Sequence, residues 1–324
     1  MQAFPILVAA PAPPPLVAAL ADIGPVHRLW EATDREETLA RLAPDIRCLV
    51  WSPFGGPLEE PFMARFPSLQ LVATMGAGYE IIDVAAAARR GLIVTNTPDA
   101  VTEDTADAGF ALILDTVRRF PAAERYLRGG KWTIATPFAR TASLRGKTLG
   151  IVGYGRIGKA IARRAEAFGL KVVYHGRNRQ AGVAYPYHPT IEETARASDI
   201  LIAILPGDAS TRAAIDANVL DALGPAGFFI NIGRGVCVDE PALVAALRAG
   251  AIAGAGLDVY ADEPNVPAAL LDMENVVLLP HVGGATDHVM QAVGARLVAN
   301  VRAFARGEGP LDPVAETPWP PARR

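Results

Sequence analysis

Three apolar runs in the second half of the chain each lead to a polar residue with chemistry to offer. FFINIG is followed by Arg234, GLDVYADE ends on Glu263, and VVLLP is followed by His281. If these runs are parallel strands, their carboxyl ends share one edge of a sheet, which is where open α/β sheets bind ligands. A carboxylate beside an imidazole favours the protonated ring and fixes its orientation, so Glu263 and His281 together make a proton donor. A guanidinium grips a carboxylate through two parallel hydrogen bonds and polarises a neighbouring carbonyl, a role open to Arg234. With a nicotinamide, these parts suit reduction of a 2-keto acid, with hydride to C2 and the proton from His281. Singly, each residue also reads as structural: a turn arginine, an acid at a helix start, a histidine held after a proline.

The nicotinamide enters through a second motif. Gly153-Tyr-Gly155-Arg-Ile-Gly158 follows the strand-like LGIV and opens the amphipathic stretch from Ile157 to Ala165. In such a unit the first glycine permits a tight turn and the second lets backbone approach a pyrophosphate. The third allows close strand–helix packing, and the phosphates sit at the helix N-terminus. A ribose-binding acid is expected about 20 residues further on. The sequence there is YHGRNR, with Gly176, Arg177, Asn178 and Arg179 and no acid. An acid would repel a 2′-phosphate, whereas Arg177 offers a fork to one and Gly176 clears space beside it, so the pattern points to NADP(H), with NAD(H) used less efficiently. A solvated basic loop is the plainer alternative. In the first third of the chain, Thr74 is followed by Met75, Gly76, Ala77 and Gly78, a turn whose backbone N–H groups could form an anion nest for a substrate carboxylate or serve as a plain turn.

Positioning these residues takes two α/β units. Candidate strands at Ile6–Ala9, Val26–Leu29, Cys48–Trp51, Leu69–Thr74 and Leu92–Thr95 alternate with segments of helical spacing. A long helical pattern over Val101–Leu127 follows, acidic early and basic late. A second series then runs through Leu149–Gly153, Val172–Tyr174, Ile200–Leu205, Gly227–Ile232, Ala253–Val259 and Val276–Leu279, before a last helix at about Ala285–Arg306. The expected fold class is α/β, with two doubly wound parallel-sheet domains, Rossmann-like or flavodoxin-like, and a ligand cleft between them. The expected domains are 1–98 plus 287–324 for substrate and 99–286 for the dinucleotide. The Pro-rich tail after Phe304 should be irregular.

Half of the 324 residues are hydrophobic, enough for a large core without disulfides. The two cysteines, Cys48 and Cys237, sit at apolar runs and read as reduced, buried thiols of a cytoplasmic protein. A formal net charge of −3 gives no electrostatic case for nucleic acid. No run reaches membrane-spanning length without Pro, Gly or charge, and the start MQAFPILVAAPAPPPL reads as a strand and loop rather than a signal peptide. No HxxH or CxxC spacing suggests a metal site.

With these residues in view, the chain resembles the D-isomer-specific 2-hydroxyacid dehydrogenases along nearly its whole length. MGAGYEIIDVAAAARRGLIVTNTPDAVTEDTAD, LRGKTLGIVGYGRIGKAIARRAEAFG, FINIGRGVCVDEPALVAALRAGAIAGAGLDVYADEP and NVVLLPHVGGAT carry the likeness. NTPDAVTEDTAD, INIGRG and HGRN bring it nearest to the NADPH-preferring glyoxylate/hydroxypyruvate and hydroxyphenylpyruvate reductases. The resemblance implies catalytic roles for Arg234, Glu263 and His281, and a homodimer built on the coenzyme domain. It implies cofactor contacts at Gly155, Arg156, Ile157, Arg177, Leu205, Pro206, Thr211, Ile232, Asp258 and Gly283, with Thr105 near the nicotinamide. In the loop Trp51–Gly56, Phe54 would line the substrate pocket, or simply pack. Trp132 would help close the site. The expected activity is reduction of glyoxylate or hydroxypyruvate to the D-2-hydroxy acid. The alternatives are a reductase of bulkier keto acids, such as hydroxyphenylpyruvate or branched-chain acids, and a non-enzymatic nucleotide-sensing protein. An intact Arg/Glu/His set counts against the last.

Overall fold

The computed structural model describes residues 3–52 and 55–320. The chain divides into two compact units, Met1–Val101 with Asp287–Arg324, and Thr102–Thr286.

In the first unit the described strands are β1 (Ile6–Val8), β2 (Val26–Arg28), β3 (Cys48–Trp51), β4 (Leu71–Thr74) and β5 (Ile93–Thr95). They form one parallel sheet in the order β2-β1-β3-β4-β5, the flavodoxin-like arrangement. Strands covered on both faces read as unbroken apolar runs, which is why these segments lack alternation. One face carries Ile6, Val8, Cys48, Val50, Leu71 and Ala73, packed with Leu297, Val298 and Val301 of the helix Asp287–Ala305. The other carries Leu7, Leu49, Trp51, Val72 and Val94.

The segment after that long helix is irregular, as its composition predicts, yet it is tied down. Asn300 accepts the backbone N–H groups of Leu311 and Asp312 at 2.8 Å each and donates to the Asp312 carboxylate at 2.9 Å. Arg296 grips the same carboxylate through two bonds, and the Thr317 hydroxyl accepts the Val94 N–H on β5. Asn300 is fully buried. Asn300→Ala strips acceptors from two backbone donors and should lower stability by about 1–3 kcal/mol. The measurement is the urea midpoint, and an unchanged midpoint would show the tail is held by other contacts.

The second unit continues with β6 (Thr148–Val152), β7 (Lys171–His175), β8 (Ile200–Ala203), β9 (Phe228–Asn231), β10 (Gly254–Leu257) and β11 (Val276–Leu278). All pair in parallel, in the order β11-β10-β9-β8-β6-β7. On the β7 edge, one parallel bridge between Tyr174 and Tyr187 stands where a Rossmann sheet has a further strand. The strand order reverses between β6 and β8, so the switch point lies at Gly153 and Leu205.

The one helix expected over Val101–Leu127 is two, Thr102–Arg118 and Phe120–Arg128. Arg119 between them is left-handed, with φ 53°. Pro121 has no N–H for the Val117 carbonyl and its ring would collide with it, so the first helix stops and a new one starts with proline in its first turn.

Candidate active site

The dinucleotide turn is shaped by what cannot fit in it. β6 runs into Gly153 at φ 100°, where any Cβ would overlap the Ile204 carbonyl beyond β8. A Cβ at Gly158 would stand 2.5 Å from the Gly153 carbonyl oxygen, so the helix Arg156–Ala167 crosses the turn at backbone contact. Gly155 is different: it caps that helix, is exposed, and a Cβ there would meet nothing within 4 Å. Two glycines are thus packed and the middle one faces open space beside Arg156, Ile157 and the helix N-terminus. That is the cradle a pyrophosphate needs, and the residues present fit a dinucleotide.

At the end of β7, Gly176 is nearly as open: a Cβ would come no nearer than 3.9 Å to any neighbour. Arg177, Asn178 and Arg179 follow and are exposed. No acid stands at this strand end, so nothing there repels a phosphate dianion.

Beyond β8, Leu205 and Pro206 lead into a loop closed by the Thr211 hydroxyl, which donates to the Pro206 and Asp208 carbonyls. Ile232, after β9, is buried against the helix Thr102–Arg118, where a Cβ at Gly109 would lie 2.6 Å from its Cδ1. Thr105 is buried on the same helix, and a Cβ on Gly283 would lie 3.5 Å from Thr105 Cγ2 and 2.9 Å from Asp258 Oδ2. Thr105, Asp258 and Gly283 therefore form one cluster.

Asp258 organises that cluster. Its backbone carbonyl accepts the His281 N–H at 2.8 Å, Oδ1 accepts Val282 N–H at 2.8 Å, and Oδ2 accepts Gly283 N–H at 2.9 Å. Burial pushes its carboxyl above the usual range, and the two backbone donors work against that rise. His281 itself is left-handed, φ 54°, a conformation uncommon in residues other than glycine. Its Nδ1 lies 2.7 Å from Glu263 Oε2, and Glu263 Oε1 accepts the Tyr260 N–H at 3.0 Å. The imidazole therefore has its Nδ1 on the carboxylate, with Nε2 on the opposite side of the ring. The Tyr260 hydroxyl donates to the Leu279 carbonyl at 2.9 Å, and burial raises its pKa to about 12.

Arg234 sits in a turn braced by Asn231, which accepts the Gly233 N–H and donates to the Arg234 carbonyl, both at 3.1 Å. A Cβ on Gly235 would fall inside the Tyr260 carbonyl group. The Arg234 turn and the Tyr260–Glu263 loop thus press backbone to backbone at the ends of β9 and β10, and the Arg234 guanidinium donates to the Gly233 carbonyl at 2.8 Å. Met75, Gly76, Ala77 and Gly78 belong to the other unit, after β4, where Asn96 donates to the Ala77 carbonyl at 2.7 Å and Gly76 has φ 140°. Trp132 is exposed in the loop after the helix Phe120–Arg128. Phe54 lies outside the described residues.

Sequence reading missed Asn231 and Tyr260 as braces, and named Asp258 for the cofactor without its hold on 281–283. The signal was present for two of them: a carboxylate inside GLDVY and an amide inside FINIG are polar groups in apolar runs, and such groups need partners.

The family pattern for the NAD-binding domain of D-isomer specific 2-hydroxyacid dehydrogenases matches residues 110–283. A glyoxylate/hydroxypyruvate reductase of Arabidopsis thaliana is 42% identical over 89% of this chain and 91% of its own. A hydroxyphenylpyruvate reductase of Plectranthus scutellarioides is 40% identical over 97% of this chain and 100% of its own. Among solved structures, an NADPH-dependent glyoxylate/hydroxypyruvate reductase of Sinorhizobium meliloti, in complex with NADP and malonate, is 46% identical with a TM-score of 0.90, covering 100% of this chain and 99% of its own. A doubly wound dinucleotide unit with a carboxylate-paired histidine defines the class as nicotinamide-dependent oxidoreductases. The chain belongs to the D-isomer specific 2-hydroxyacid dehydrogenase family, whose enzymes interconvert 2-keto and 2-hydroxy acids.

Proposed function

We propose that this enzyme reduces glyoxylate and hydroxypyruvate to the D-2-hydroxy acid and prefers NADPH. The observation that carries the reading is the pairing of His281 with Glu263 at 2.7 Å, with Arg234 on the adjoining turn. Bound reduced nicotinamide supplies the hydride to C2. Arg234 takes the substrate carboxylate and polarises the keto oxygen, and His281 Nε2 gives the proton to that oxygen while Glu263 holds the ring. In the other unit, Gly76, Ala77 and Gly78 carry backbone N–H groups of the kind that nest an anion, while the Met75 N–H is taken by the Trp51 carbonyl at 2.9 Å. The open Gly155 and helix N-terminus take the pyrophosphate, and Gly176 with Arg177 and Asn178 takes the adenosine ribose and its phosphate. The reductases named above, one of them NADPH-dependent, support the substrate and the cofactor.

Two copies associating through the coenzyme unit would cover the helix Phe120–Arg128, which buries none of its side chains, and the exposed Leu127, Trp132 and Ile134. Buried thiols at Cys48 and Cys237 suit a cytoplasmic enzyme, and no helix of the described residues is long and apolar enough to cross a membrane.

Steady-state assays with both cofactors against a panel of keto acids test the reading. Arg177→Ala should raise KM for NADPH by about ten- to a hundredfold, the worth of a charge-assisted phosphate contact, and that for NADH far less. Higher kcat/KM with NADH than with NADPH overturns the cofactor assignment. Higher kcat/KM on hydroxyphenylpyruvate or a branched-chain keto acid than on glyoxylate and hydroxypyruvate overturns the substrate assignment.

A further inference from the structure

The basic arch from Gly176 to Gln180 is held at both ends. At its start, the Tyr187 hydroxyl donates to the Gly176 carbonyl at 3.3 Å. At its finish, the Gln180 backbone N–H donates to the Tyr174 hydroxyl at 2.9 Å, and the Gln180 side-chain amide donates to the Tyr154 carbonyl at 2.7 Å. The anchors are themselves fixed. Tyr174 is fully buried and Tyr154 is 6% exposed, with ring centroids 4.5 Å apart. The Tyr187 ring lies 5.4 Å from that of Tyr174, and the backbone beside it pairs with β7 through Tyr174 N–H to Pro186 and His188 N–H to Tyr174. Between the anchors lie only Arg177, Asn178 and Arg179, all exposed.

The Tyr154 carbonyl belongs to the turn Gly153–Gly158. One side chain, Gln180, therefore ties the element shaped for a pyrophosphate to the element that carries the arginine fork. A guanidinium meets a phosphate well only at the right distance and angle, and a backbone already fixed loses less freedom on binding than a free loop.

We propose that Gln180, assisted by Tyr187, is a positioning residue for cofactor discrimination. It sets the arch against the phosphate turn so that Arg177 meets a phosphate monoester on the adenosine ribose. This rests on the reading that Arg177 takes the 2′-phosphate of NADPH.

Adenosine 2′,5′-bisphosphate and 5′-AMP differ by that phosphate alone, and titration calorimetry on the full chain reads both. Gln180→Ala should weaken the bisphosphate by about three- to tenfold, the worth of one lost hydrogen bond, and AMP by less than about twofold. Tyr187→Phe deletes a single hydroxyl and should shift the ratio of the two affinities in the same direction, which keeps the proposal testable should Gln180→Ala not fold. Equal weakening of both ligands, or no change in their ratio, overturns the positioning role. Arg177→Ala separates this from the cofactor reading itself. If Arg177→Ala leaves the ratio at its wild-type value, the NADPH reading falls and the proposal with it. If Arg177→Ala collapses the ratio while Gln180→Ala and Tyr187→Phe do not, only the positioning role falls.

Discussion

Replacing His281 with alanine should lower kcat for glyoxylate reduction by about 10²–10⁴-fold, the range a positioned general acid contributes. His281 Nδ1 is committed to Glu263 at 2.7 Å, which leaves Nε2 as the nitrogen the proposed mechanism uses on the keto oxygen. With alanine there, the alkoxide forming at C2 must draw its proton from water. Glu263→Gln should cost less. The amide keeps a partner for the ring, and its Oε1 side must still satisfy the Tyr260 N–H. The measurement is steady-state kinetics with NADPH, alongside a fluorescence titration of NADPH affinity that separates lost chemistry from lost cofactor. Near-full turnover by His281→Ala sinks the assignment of the proton donor.

The second large effect is expected at Arg234. Arg234→Ala should reduce kcat/KM by about 10²–10³-fold, comparable to removing one donor from an oxyanion site. Both substrate binding and polarisation of the keto group are lost, so kcat and KM should both move. Arg234→Lys should recover only part of the loss, because an ammonium is a point charge and lacks the planar fork. The Arg234 guanidinium donates to the Gly233 carbonyl at 2.8 Å, but Asn231 and the Gly235 contact also brace the turn, so neither variant should unfold the chain. An Arg234→Ala enzyme with wild-type kcat/KM would falsify the clamp.

The strands of both sheets were legible because buried parallel strands are short, apolar and bounded by turn residues. The glycine turn was legible because its three glycines keep the usual spacing, two of them, Gly153 and Gly158, set by sterics. The placement of Arg234, Glu263 and His281 beyond the ends of β9, β10 and β11 was legible from the apolar runs that precede them. What was hidden is what depends on long-range contact. The break at Arg119 needed more weight on Pro121 than on the apolar periodicity that runs past it. The hold on the C-terminal segment needed Asn300 and Asp312 to meet across a turn, which no local pattern announces. The reason for Gly235, the Tyr260 backbone pressed against it, lies 25 residues away in sequence.

Asp258 holds three consecutive residues, His281 to Gly283, with its carbonyl and both carboxylate oxygens. Glu263 leaves the same strand end five residues later. His281 and its carboxylate partner are therefore both registered from the end of β10, although one of them comes after β11. Within the connection between β10 and β11, that alignment rests on its first six residues, Asp258 to Glu263. Residues 266–274 make none of these bonds, and their length and sequence can drift without moving the pair.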